Sequence, residues 1–327
     1  MSKINRQQAE WAWSCPACGS RLQQSARNEL HCPHDGARYT QIQGIWRMLT
    51  PRQEENYARF VEEYDVVRSA EQWGSEQAAY YRALPYRDLS GKHTDIWRIR
   101  AVTYTKFVKE VLHPLARSRA SPLRIVDAGA GSGWLAYRLS QEGHRVMATD
   151  LRTNASDGLG AHRWYGENAS FVPVQAAFES IPLDDSSADL IIFAGSLHYA
   201  TEYEAVLQEA KRVAGNRGQV VVMETPVYRQ ASSGEQMVRE LHERLRQQHG
   251  IGADALAHEN YLTLPQLHEL GEQLGLAWRV IEPFYGWRWA LAPWLAKLKG
   301  QREPARFYIL VAECHGLPDS AAGHSLF

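Results

Sequence analysis

The sequence predicts an α/β protein built on a mostly parallel sheet of seven strands with helices on both faces. A small cysteine-bearing β module and a helical cap precede it. Three observations carry this. From Leu123 onward, short apolar runs alternate with helix-period segments, a pattern that parallel strands joined by crossover helices produce. The first run leads straight into a glycine-rich turn. Ahead of it, three of the four cysteines fall between residues 15 and 32.

The chain has 327 residues, of which 44% are apolar, enough for one large domain with an accessory module. No uninterrupted apolar run approaches the roughly 18–20 residues that a membrane span needs. The opening "MSKINRQQAE" lacks an apolar signal core. A cytoplasmic location is expected. There, cysteines serve as metal ligands or free thiols rather than disulfides. The net charge is −1. Residues 1–52 hold seven Lys/Arg, Lys3 and Arg6 among them, against Glu10, Glu29 and Asp35, which leaves −5 for the remainder. That basic bias fits an anionic partner such as RNA, though a solvated face is the commoner explanation.

Residues 1–50 form the expected first module. "CPACG" (15–19) returns as "CPHDG" (32–36), giving two knuckle-like turns. Cys15, Cys18 and Cys32 supply three metal ligands. Register places Asp35 fourth, three residues after Cys32, whereas His34 is the better zinc donor by chemistry. Such a site is closed by protein and therefore structural.

Residues 51–120 read as a helical cap. Tyr57, Phe60, Val61, Tyr64 and Val67 recur at helical spacing after Pro51, "SEQAAYYRALP" is a short helix ending at Pro85, and Thr94–Leu115 is a long amphipathic helix. Its expected inward face is Ile96, Ile99, Thr103, Phe107 and Val111.

Residues 121–327 form the main domain. Strands are expected at "LRIVDA", "HRVMATD", "SFVPVQ", "ADLIIFAG", "GQVVVME", "AWRVIEP" and "RFYILVAE", and helices at 134–142, 202–214, 234–249 and 264–274. In "RIVDAGAGSGWLAYRL" the strand runs through Gly129, Gly131 and Gly133 into a helix, and Asp150 ends the next strand. Such a turn lets a ligand approach bare backbone, and the strand-end acid can accept both ribose hydroxyls. This is a nucleoside pocket. Its G-x-G-x-G spacing departs from the dinucleotide fingerprint G-x-G-x-x-G.

The set "VDAGAGSG", "ATD", "IPLDDSSADL", "LQEAKRV" and "GNRGQVVVME" resembles the class I S-adenosylmethionine (SAM)-dependent methyltransferases, type 11-like, over about Leu123 to Glu224. The front module is similar to the zinc ribbons ahead of some methyltransferases, a ribosomal-RNA guanine methyltransferase included, and to methyltransferase-activator ribbons. The resemblance implies a Rossmann-like fold, SAM as cofactor, and zinc as a structural metal. Asp127, Gly129, Ala130, Gly131 and Gly133 would border the methionine portion, Asp150 the ribose, and Leu151 the adenine. Ala177 stands where the family commonly has an acid that reads the adenine amino group, leaving backbone or Phe178 to serve instead. Ala194, His198 and Tyr199 come from "AGSLHYA" at the end of the fourth strand, which would place His198 as a candidate base and Tyr199 beside it at the methyl-transfer rim. Glu224 is a second acid on the substrate side.

Methyl transfer from a sulfonium needs alignment and a dry site more than dedicated side chains. Substrate choice should therefore come from outside the shared core, with Tyr81, Tyr86 and Arg100 as candidates. A further insertion, "YGWRWALAPWLAKLKG", repeats Trp287, Leu291, Trp294, Leu295 and Leu298 at helical spacing; packing on the core is its default role, with capping a pocket or touching a membrane surface as alternatives. The expected acceptor is a small or medium organic molecule. The alternatives are an rRNA or tRNA base methyltransferase docking through its ribbon, and a SAM-binding interaction protein without turnover.

Overall fold

The computed structural model describes residues 11–119, 122–168, 170–252 and 255–314. The ends of the first and last expected segments, Lys3 and Arg6 included, lie outside the described residues.

The chain opens with four short strands, β1 (Gln23–Ala26), β2 (Glu29–His31), β3 (Arg38–Ile42) and β4 (Ile45–Arg47), each antiparallel to the next. Helix α1 (Pro51–Ala70) follows. Its start is fixed by a capping box: Gln53 N–H donates to Thr50 Oγ1 at 3.3 Å, and Thr50 N–H donates to Gln53 Oε1 at 3.0 Å. Pro51 occupies the first turn, where its missing N–H costs nothing. Then come α2 (Ala78–Ala83), α3 (Thr94–Phe107), a π-helical turn (Val108–Leu112) and α4 (His113–Ser118).

The expected inward face of the long helix holds at Thr103, Phe107 and Val111, which are buried, and is corrected at its start. Trp97, Thr103, Tyr104 and Phe107 are buried on α3, whereas Ile96 is exposed. Aromatic area outweighs the aliphatic stripe, since each ring removes far more surface from water.

The main domain runs β5 (Arg124–Ala128), α5 (Trp134–Gln141), β6 (Arg145–Asp150), a 3-10 run (Leu159–Asn168), β7 (Phe171–Gln175), β8 (Leu190–Ala194), α6 (Tyr203–Ala214) and β9 (Gln219–Met223). A two-strand pair, β10 (Val227–Tyr228) with β11 (Leu262–Thr263), flanks α7 (Ala231–His249). The chain finishes with α8 (Leu264–Leu274), β12 (Ala277–Ile281), α9 (Trp287–Leu298) and β13 (Ile309–Glu313). All seven expected strands form. No described helix is long and apolar enough to cross a membrane.

The sheet order is β1-β2-β3-β4-β7-β6-β5-β8-β9-β13-β12. From β4 to β9 every pairing is parallel, and β13 is antiparallel to both its neighbours. The sheet is thus larger than the seven strands expected, because β4 pairs with β7, Trp46 against Val174 and Arg47 against Gln175. The cysteine module extends the sheet edge.

Strand alternation sorts the core into two layers. One face carries Val126, Met147, Val172, Ile191 and Val222, continuous with Val206 of α6, Leu267 of α8, and Trp13, Cys15, Cys32 and Trp46 of the module. The other carries Ile125, Val146, Ile192, Val221 and Val311 beneath Trp97, Phe107 and Trp134. The strand order reverses between the paired strands β5 and β8, with β6 beyond one and β9 beyond the other, so the crossovers at their carboxyl ends leave a crevice, the place where open α/β sheets bind ligands.

Candidate active site

A cavity of about 370 Å³ fills that crevice, within the roughly 300–1,000 Å³ usual for small-molecule sites. The sheet supplies its floor. Gly129, Ala130 and Gly131 from the turn after β5, Asp150 and Leu151 from the end of β6, Phe178 after β7, and Ala194 and Tyr199 at and after β8 all line it. Asp127, Gly133, Ala177 and His198 do not face it directly.

The turn is held by strand ends. Gly129 N–H and Ala130 N–H both donate to Thr149 O, at 2.8 and 2.9 Å. Gly129 has φ +77°, and a Cβ there would come 2.3 Å from Ser196 Cβ, so a side chain is excluded both sterically and conformationally. Asp150 closes the turn from the other side: Oδ2 accepts Gly131 N–H and Oδ1 accepts Arg152 N–H, each at 2.8 Å.

Three carboxyls collect around this crevice in low dielectric. Burial raises Asp127 to about 8, with Ala136 N–H pulling back at 3.1 Å and the charges of Asp150 and Glu224 pushing further up. Asp150 and Glu224 are also raised, again by burial first. Glu224 is nearly enclosed and has φ 59°, sparsely populated for a side chain of this kind. Neither of its oxygens has a well-aligned hydrogen bond; its counter-charge is Arg100 Nε, 3.1 Å from Oε2. Such a group of acids favours a positive ligand.

The cap supplies the roof. Asn56, Tyr57, Phe60, Tyr64 and Arg68 of α1 and Trp97 and Arg100 of α3 line the cavity. Of the residues that recur at helical spacing, Tyr57, Phe60 and Tyr64 are turned on the cavity, and α1 has no buried residue. Its attachment is polar. Arg68 grips Asp157 with Nε to Oδ2 at 2.6 Å and a second nitrogen to Oδ1 at 3.0 Å. Arg152 Nε donates to Asp65 at 2.6 Å, and its guanidinium also reaches Asp157 Oδ2 at 3.2 Å. The loop after β6 is thereby tied to α1. Tyr57 O–H donates to Glu179 at 2.7 Å and ties α1 to the loop after β7.

Tyr199 stands edge-on to Tyr64, with ring centroids 5.4 Å apart, and is flanked by Phe60 and His258. His198 lies behind that ring, with centroids 4.3 Å apart, and its Nδ1 is 3.5 Å from Thr225 Oγ1. Burial lowers His198 to about 3, helped by His258 and Arg100, so it is neutral at pH 7. Of the other sequence candidates, Arg100 reaches the cavity. Tyr81 is buried elsewhere, donating to Ser156 O at 2.6 Å, and Tyr86 is exposed. Sequence reasoning missed Glu179, Arg68 and Trp97. Glu179 had a usable signal, because it lies two residues beyond the acid-less position Ala177.

Away from this cavity, Cys15, Cys18, Cys32 and Asp35 bring one ligand atom each within 4.8 Å of one another. Cys15 Sγ is 3.2 Å from Asp35 Oδ2, and Cys18 Sγ is 3.5 Å from Cys32 Sγ. Asp35 Oδ1 also accepts Ala37 N–H at 2.9 Å, which turns the carboxylate inward. His34 is outside the group.

Comparison with known proteins places this geometry. Residues 126–222 match the model of a methyltransferase domain family. A malonyl-[acyl-carrier protein] O-methyltransferase of Hahella chejuensis is 30% identical over 36% of this chain and 41% of its own. A sarcosine/dimethylglycine N-methyltransferase of Halorhodospira halochloris is 32% identical over 34% of this chain and 41% of its own. The chain thus spans about two fifths of the length of these relatives. Among solved structures, a SAM-dependent methyltransferase from Mesorhizobium loti aligns over 61% of this chain and 95% of its own at 19% identity, with a TM-score of 0.44. The matched segment holds the glycine turn, Asp150 and Tyr199 together, so the similarity to methyltransferase domains covers the part of the chain that builds the floor of the cavity.

Proposed function

We propose that the protein transfers a methyl group from SAM to a small or medium organic acceptor with aromatic or apolar surface. One observation carries this reading: a single cavity joins the glycine turn and Asp150 to the aromatic wall of Tyr199, Tyr64 and Phe60. When bound, SAM supplies an electrophilic methyl group on a positively charged sulfur.

The residues present fit that cofactor. Each Asp150 oxygen accepts one backbone N–H and keeps a lone pair free for a ribose hydroxyl. The raised Asp127 and Glu224 carboxyls regain their charged forms more readily beside a cation. Leu151 and Phe178 offer apolar surface to the base, and Glu179 stands in for the acid missing at Ala177. Gly133 shapes the turn without facing the ligand, and Ala194 leaves room at the end of β8.

In this reading Tyr199 faces the acceptor and His198 holds its ring from behind. So low a basicity suits His198 to positioning more than to removing a proton. The two named relatives differ in the acceptors their names give, so acceptor choice falls to elements outside the matched segment, chiefly α1 with Trp97 and Arg100 of α3.

The front module is read as a structural zinc ribbon. Three thiols and one carboxylate at these separations suit a four-coordinate ion with no open position.

Calorimetric titration with SAM, followed by incubation of the protein with methyl-labelled SAM and fractionated cell extract, tests the function. Label in the small-molecule fraction is the expected result. Label in RNA, or binding with no transfer to any fraction, would replace the acceptor or the activity respectively.

A further inference from the structure

Helix α9 has its large side chains on the wrong side for a packed helix. At about 100° per residue, Trp287, Leu291, Trp294, Leu295 and Leu298 form one stripe roughly 100° wide. Trp287 is 76% exposed, Trp294 74% and Leu298 73%. The opposite face carries Trp289, Pro293 and Ala296, all half-buried. Trp289 packs against Tyr285 and Phe307, with ring centroids 5.3 and 5.7 Å away. The helix is thus seated on the protein by one tryptophan and small residues, and it presents its bulk outward. No residue of α9 is buried, which overturns the expectation that this segment packs on the core.

The charges around the stripe are of one sign. Arg288 and Lys299 border it on one side and Lys297 on the other, and no acidic residue occurs from Pro283 to Arg302. Phe284, also exposed, continues the apolar surface to an open groove beside α3, whose walls carry Arg87, Arg98, Lys106 and Lys109 against the single acid Asp88. Arg98 and Lys106 are partly neutralised by Asp95 and Glu110. Arg87 and Lys109 form no ion pair among the described residues.

We propose that α9 is an in-plane anchor that docks this protein on a bilayer of anionic phospholipid. Tryptophan and leucine on one face, cations on both borders and a length too short to span are the properties of a helix lying in the headgroup boundary. The cations meet lipid phosphates while the stripe enters the acyl layer, and their long stems reach past the apolar surface to do so. An acidic protein partner would satisfy the charges alike. The stripe itself is convex, and its projecting Trp287, Trp294 and Leu298 suit insertion into lipid more than the grip of a protein surface. The anchor is independent of the chemistry assigned to the cavity.

Flotation of the full chain with vesicles tests it, comparing phosphatidylcholine alone with phosphatidylcholine containing about one third phosphatidylglycerol. The bound fraction should rise about tenfold on the anionic vesicles and fall as salt is added. Trp287→Ser with Trp294→Ser and Leu298→Ser should abolish flotation while leaving the melting temperature nearly unchanged, since all three side chains are about three quarters exposed and Trp287 meets only the exposed ring of Phe284. Arg288→Glu with Lys297→Glu and Lys299→Glu should remove the preference for anionic lipid. The proposal fails if wild type floats with neither vesicle, or if the first triple variant floats as wild type does. It fails equally if the stripe instead mediates a dimer that the same variant dissolves, or if a purified acidic carrier protein is bound and vesicles are not.

Discussion

Arg100 Nε lies 3.1 Å from Glu224 Oε2 and joins α3 to the residue that follows β9, at the wall of the cavity. The guanidinium also covers the ring of Trp97, 4.7 Å from its centroid. Among the described residues no other cation pairs with Glu224, so removing Arg100 strands a buried acid. Arg100→Met should cost about 3–5 kcal/mol of stability, measured by urea unfolding at pH 7. Adding Glu224→Gln should recover most of that loss; a double variant no more stable than the single one would show that the pair is not coupled.

Asp127 yields a pH dependence of definite sign. Its folded value is raised to about 8, whereas an unfolded aspartate titrates near 4. Between these values the folded state holds the extra proton, so stability falls as pH rises, by about 1.4 kcal/mol per unit. Asp127→Asn removes the effect and keeps an acceptor for Ala136 N–H. The melting temperature of the variant relative to wild type should therefore climb from about pH 5 to about pH 8. A gap that stays constant would mean that Asp127 is ionised throughout.

The glycine turn separates two kinds of constraint. Gly129→Ala meets Ser196 Cβ at 2.3 Å, whereas a Cβ on Gly131 finds nothing nearer than Asp157 O at 3.6 Å. Both have positive φ. Gly131→Ala should cost only the conformational strain of about 1–2 kcal/mol, and Gly129→Ala clearly more. Equal melting temperatures for the two would refute the close approach of Ser196 to the turn.

The cysteine module shares a strand pairing and an apolar layer with the main sheet, so damage to its proposed metal site should be felt beyond it. One zinc per chain is expected by elemental analysis. Chelation, or Cys32→Ser, should lower the melting temperature and expose the edge of β7 to faster amide exchange at Val174 and Gln175, opposite Trp46 and Arg47. Metal-free protein with an unchanged melting temperature would leave thiol and carboxylate contacts alone holding the knuckles.

Much of this was readable from residues because the signals are local. A buried strand ending in Gly129 and a second ending in Asp150 are patterns within a few positions, as is the Cys32–Asp35 spacing that put Asp35 rather than His34 in the cysteine group. What escaped depends on distant packing. The three residues of β4 carry no sign that they will pair with β7, more than a hundred positions away. Helix α1 reads as an ordinary amphipathic helix, and only the fold shows that Phe60 and Tyr64 face a cavity. His198 and Tyr199 are adjacent in sequence, yet the 3-10 turn Leu197–Tyr199 sends just one of them into it. On α9 the periodicity was legible, but the side on which protein would lie was not.

The central claim is that Asp150 and the turn from Gly129 to Gly131 hold SAM. Titration calorimetry of wild type and Asp150→Ala with SAM tests it most directly, with circular dichroism showing that the variant is folded. Stoichiometric binding by wild type and a loss of at least about tenfold in affinity for the variant, as expected for removing hydrogen bonds to a charged acceptor, is the predicted result. Undiminished binding by a folded Asp150→Ala protein would contradict it.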